Sequence, residues 1–115
     1  MSGVRFWKGM LWAAAAFNLL VAVPSFFLPG AGVTDRIVAV LVGCFGLIYA
    51  MVARAPERLG SVLWAGVIGK LGVVALMLPE VQAGRALPGT GWILLGDAVF
   101  TALFVVFLLR GRRAD

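Results

Sequence analysis

The chain has 115 residues, a formal net charge of +5, 63% apolar side chains and only 13% charged ones. A domain of this size cannot hide so many apolar groups in a core of its own, so lipid must take the excess. With no histidine and a single cysteine, imidazole ligands and bases, internal disulfides and cysteine metal clusters are excluded, and no cofactor is expected.

Crossing a hydrocarbon layer about 30 Å thick takes roughly 20 apolar helical residues, with a lower limit near 17. Four stretches approach this length: residues 10–28, 37–53, 61–78 and 92–109. The first contains Pro24, which lacks a backbone donor and is expected to bend the last turn and a half. Its side bearing Ala15, Asn18, Ala22 and Ser25 is small and polar. Pro29-Gly30-Ala31-Gly32 then turns the chain into the second span. There Ala39, Gly43, Gly46, Ala50 and Ala53 recur at the seam spacing of a left-handed helix pair. Cys44 reads as a small buried apolar residue, with no cation nearby to activate its thiol.

A break at Ala55-Pro56-Glu57-Arg58 leads to the third span, whose small side carries Ala65, Gly66, Gly69 and Gly72. Pro79 through Pro88-Gly89-Thr90-Gly91 separates it from the fourth. Small residues favour close approach of helices in lipid. Together with the short connections, they predict an all-α, antiparallel four-helix membrane bundle in a single transmembrane domain.

The cations set the direction. Arg5, Lys8, Arg54, Arg58, Arg110, Arg112 and Arg113 fall on the face with both termini, against Arg36 and Arg85 on the other. Cytoplasmic termini in the inner membrane follow from this bias. A rival reading takes Arg5 and Lys8 as the start of a secretory signal, but its apolar region is long and contains Asn18. Positive residues scattered at helix ends are read as lipid-headgroup contacts, with no nucleic-acid partner implied. Trp7, Trp12, Trp64 and Trp92 near the span ends read as an interfacial belt in preference to a ligand cage.

Lys70 and Asp97 interrupt the apolar pattern at a cost of about 3 kcal/mol each near mid-bilayer. At 1.5 Å per residue they lie roughly 12 and 8 Å from the outer surface, a gap that a lysine side chain spans. An inward-facing Lys70–Asp97 pair is therefore expected, with Gly69 and Gly96 bringing the two backbones close and Thr101 donating to the carboxylate. The pair either fixes helix register or forms a site where a proton or small anion couples to a change of state. Asn18 is expected to make an interhelical hydrogen bond, Tyr49 to lie toward the cytoplasmic side, and Arg36 to arch over the mouth of the bundle. That arrangement would favour an anionic or carbonyl-bearing ligand entering from outside.

Across nearly its whole length, through Gly46-Leu47-Ile48-Tyr49, Gly69-Lys70 and Gly96-Asp97, the chain resembles the short four-span bacterial membrane proteins that include the DoxX-like proteins. The resemblance implies a bundle and no particular activity. Small multidrug transporters share the span number but carry a glutamate in the first span, where this chain has only Asn18 as a strongly polar group. The pore signature of dimeric fluoride channels is not matched either. An accessory or scaffold bundle, alone as a homo-oligomer or beside a larger membrane complex, is expected first. An oligomeric small-solute or proton-coupled carrier using Lys70 and Asp97 is the alternative, and an intramembrane enzyme lacks the groups it would need.

Overall fold

A computed structural model of the chain describes residues 2–111. Arg112 and Arg113 of the expected basic tail lie outside them. Most of the described residues are helical: α1 spans Ser2–Phe26, α2 Val33–Arg54, α3 Pro56–Leu59, α4 Leu63–Gln82 and α5 Thr90–Val106. A tight turn of helix over Gly60–Val62 joins α3 to α4, and a wider-wound turn over Phe107–Gly111 extends α5. Among the described residues, four helical segments are long and apolar enough to cross a membrane, and the longest dimension of 46 Å exceeds the hydrocarbon thickness. Leu20, Ile68 and Leu76 are each at least 70% exposed on the outside, a pattern that lipid, not water, stabilises. The protein is a multi-pass membrane helix bundle.

The helices begin and end on local chemistry. At the start of α2 the Asp35 carboxylate accepts a hydrogen bond from Gly32 N–H at 3.1 Å, placing negative charge on the positive end of the helix dipole. Pro56 occupies the first turn of α3, where its missing donor costs nothing. Gly89 immediately precedes α5, and its φ of +90° suits glycine.

Three boundaries differ from the sequence expectation by four residues or more, one of them the start of the second span, which lies at Val33 and not at residue 37. The first span begins eight residues earlier, at Ser2, which puts Arg5, Lys8 and Trp7 on the helix. The third span does not stop before Pro79 but runs through it to Gln82. Proline removes one hydrogen bond there, and the chain still completes another turn. That turn closes on Gly84, at φ +75°: Gly84 N–H donates to Val81 C=O and Arg85 N–H to Glu80 C=O, the paired bonds of a glycine-terminated helix. Just beyond, the Arg85 guanidinium meets the Glu80 carboxylate in a two-pronged pair at 2.8 and 3.1 Å, which raises the guanidinium pKa above its usual value.

Packing joins the spans as two hairpins. In the first, the small side of α2 lies on the small side of α1: a Cβ added at Gly46 would sit 3.1 Å from Asn18 Cβ and 3.2 Å from the Ala15 carbonyl, and one added at Gly43 would sit 3.4 Å from Ala22 Cβ. The second hairpin is α4 with α5. At the end bearing the termini the hairpins close on a dense core in which Leu11, Val52, Leu63, Phe104 and Phe107 are sealed from the surface. The Tyr49 ring packs against Phe104 there at 4.9 Å and Trp7 against Phe107 at 5.4 Å. Toward the end carrying the loops at 27–32 and 83–89 the hairpins part, and α2 and α4 meet at Tyr49 and Gly66.

The loop half of the bundle holds a cavity of about 420 Å³. The third-span glycines explain part of this. Gly66 accepts Tyr49, but a Cβ at Gly72 would meet nothing within 4 Å, because successive steps of three carry the stripe around the helix and off the interface. Cys44 is likewise exposed, not buried. It neighbours Gly43 in sequence, so it points away from the seam that holds α1.

Candidate functional site

Four helices contribute to one polar centre at the floor of the cavity. The ammonium of Lys70 on α4 lies 2.6 Å from Asp97 Oδ1 on α5. It also donates to Asn18 Oδ1 on α1 at 3.1 Å, and Asn18 Nδ2 in turn donates to the Val42 carbonyl on α2 at 3.0 Å. A continuous run of hydrogen bonds thus passes through all four membrane-crossing helices. Lys70 is 6% exposed, Asn18 5% and Asp97 8%, so none of the three is solvated as a surface charge would be.

Each of these side chains reaches the centre for a local reason. Gly46 has no Cβ in the space beside Asn18, which lets α1 and α2 approach closely enough for the amide to reach a helix carbonyl. Lys70 lies one turn beyond Gly66, where Tyr49 fits against bare backbone. The ammonium is ringed by aromatic faces: Phe17 at 5.3 Å, Tyr49 at 5.6 Å and Phe100 at 6.0 Å from its nitrogen to the ring centroids. Their negative faces add to the carboxylate in stabilising a cation away from water.

Several sequence expectations need correction. Thr101 does not donate to the Asp97 carboxylate; its hydroxyl bonds the Asp97 backbone carbonyl at 2.7 Å, one turn back on its own helix. Gly96 does not bring α4 and α5 together. It receives the Phe17 ring of α1, which a Cβ would approach to 2.5 Å, and Gly69 has only Phe45 near it, at 4.0 Å. Arg36 does not arch over the mouth. It is exposed, with its guanidinium 5.9 Å from the Phe26 ring at the end of α1. The side of α2 that carries Ala39 faces α1, so Arg36, one turn earlier, follows it to the same neighbour.

Phe17 and Phe100 do not stand out in the sequence as site residues. Their signal was position: Phe17 adjoins Asn18, and Phe100 lies one turn from Asp97. Tyr49 is only 1% exposed and lines the cavity, as do Asn18, Lys70 and Asp97. The remaining wall is apolar and includes Leu41, Phe45, Val73 and Ile93.

Comparison with known proteins returns no matching family model, no matching curated protein and no matching solved structure. What the chain does must therefore be argued from its own geometry.

Proposed function

We propose that the protein is an accessory helix bundle of the inner membrane, with both termini in the cytoplasm and a polar centre that locks its four spans in register. As such it belongs beside the short four-span proteins, DoxX-like ones among them, that its sequence resembles. The observation carrying this reading is the hydrogen-bond run from Asp97 through Lys70 and Asn18 to the Val42 carbonyl. It is made within one chain and links each helix to the others, as a register device requires. The tight core of Leu11, Val52, Leu63 and Phe104 supports it further, because these buried side chains pack the hairpins together on the side of the centre nearer the chain ends. The exposed apolar faces suit a second copy or a larger membrane complex as well as lipid.

A carrier is the second reading, favoured by one feature: the cavity reaches the ion pair from one side. Proton flux separates the two. In liposomes under a pH gradient, the accessory bundle leaks protons no faster than protein-free vesicles, and the Lys70→Met/Asp97→Asn double variant behaves identically. A wild-type flux abolished by the double variant would replace the accessory reading with the carrier.

A further inference from the structure

The polar centre satisfies its own helices and still has bonding capacity turned toward the cavity. An ammonium has three N–H donors, and Lys70 spends two, on Asp97 and Asn18. Among the described residues, every side-chain nitrogen or oxygen sealed from the surface has a hydrogen-bond partner. Among those residues the Tyr49 hydroxyl and Asp97 Oδ2 make no such bond, so neither atom is fully sealed, and both residues line the cavity. A donor on Lys70, an acceptor on Asp97 and a hydroxyl able to do either thus converge on one apolar chamber.

Charge and shape narrow what fits. Lys70 is already neutralised by Asp97, and Arg36 lies outside the chamber, so a net charge of either sign would be buried without a counter-ion. The volume of about 420 Å³ falls within the range of roughly 300–1,000 Å³ typical of small-molecule sites. Val38, Leu41, Gly69 and Val73 line the chamber and are themselves exposed, so its mouth lies between α2 and α4 and faces the hydrocarbon.

We propose that this chamber binds a single-chain amphiphile whose uncharged head carries both a carbonyl acceptor and an N–H or O–H donor, a primary carboxamide being the simplest case. The carbonyl accepts from Lys70 and Tyr49, the N–H donates to Asp97 Oδ2, and the chain lies along Leu41, Phe45, Val73 and Ile93. The ligand enters sideways from the bilayer. This inference goes beyond the accessory role and is independent of it, since a bundle that conducts nothing has the same chamber.

The probe is decanamide bearing an isotope-labelled carbonyl, titrated into lipid nanodiscs with and without the protein and followed by the infrared carbonyl stretch. Expected is a saturable population with a lowered stretching frequency, absent from empty nanodiscs. Decanoate and decyltrimethylammonium compete about tenfold less well or worse, as an unpaired buried charge requires. Gly69→Leu, whose Cβ would meet only Phe45, at 4.0 Å, and whose side chain narrows the mouth of the chamber, removes the population. Tyr49→Phe, which keeps the ring and the Lys70–Asp97 pair, weakens binding about tenfold. A frequency unchanged by the protein, tighter binding of decanoate, or full binding by Gly69→Leu would each overturn the proposal.

Discussion

A lysine inside a bilayer is tolerated when every group it needs is supplied by protein, and here the supply comes from three directions. Asp97 balances the charge, Asn18 takes a second N–H, and three aromatic faces surround the ammonium. Asn18 is the less obvious member, because its amide both accepts from Lys70 and donates across to α2. Asn18→Ala leaves a buried N–H and a helix carbonyl without that partner, and it is expected to cost about 1–2 kcal/mol of unfolding free energy in mixed micelles. Thr101→Val removes only a bond within α5 and is expected to change stability by less than about 0.5 kcal/mol. Equal losses from the two would mean that Asn18 is not the connection between hairpins.

Lys70 and Asp97 were legible as singular because few charges interrupt the spans, and consecutive antiparallel helices bring them to nearly one depth. The Asn18 link was half legible: an interhelical bond was expected, but which partner it takes depends on the depth at which α1 packs, a property that composition does not carry. Arg36 was misplaced because a helical stripe indicates a face but not the neighbour against which that face packs.

At the scale of elements, the same residue type has opposite consequences on two helices. The α2 seam of Ala39, Gly43, Gly46, Ala50 and Ala53 was readable because its alternating steps of four and three stay on one side of a helix. On α4 the steps of three from Gly66 to Gly72 drift, and contact is lost by Gly72. Gly46→Ala should destabilise the protein by about 1–3 kcal/mol, since its Cβ presses on α1 backbone that cannot yield cheaply. Gly72→Ala should be neutral or stabilise by up to about 1 kcal/mol through helix propensity alone. Thermal or denaturant unfolding of the two variants in one detergent checks the opposite signs. The cavity itself was not legible, because it depends on how far α2 and α4 diverge. Where those two helices meet is set by a single fit, Tyr49 against Gly66, which periodicity does not report.

For the molecule as a whole, the four apolar spans and short connections made the all-α bundle evident from sequence, while the division into a sealed half and an open half emerged only from packing. The sealed half holds the hairpins together by burial among Leu11, Val52, Leu63, Phe104 and Phe107; the open half relies on the polar centre at its floor. That division makes the Lys70–Asp97 bond the central claim, and a double-mutant cycle of Lys70→Met and Asp97→Asn, read by reversible unfolding in bicelles, tests it most directly. Each single change leaves one buried charge and is expected to cost about 3 kcal/mol or more, with the double variant less destabilised than the sum by about 2 kcal/mol or more. Additivity of the two changes to within about 0.5 kcal/mol would contradict the account, since two side chains that do not meet inside the membrane would give that result.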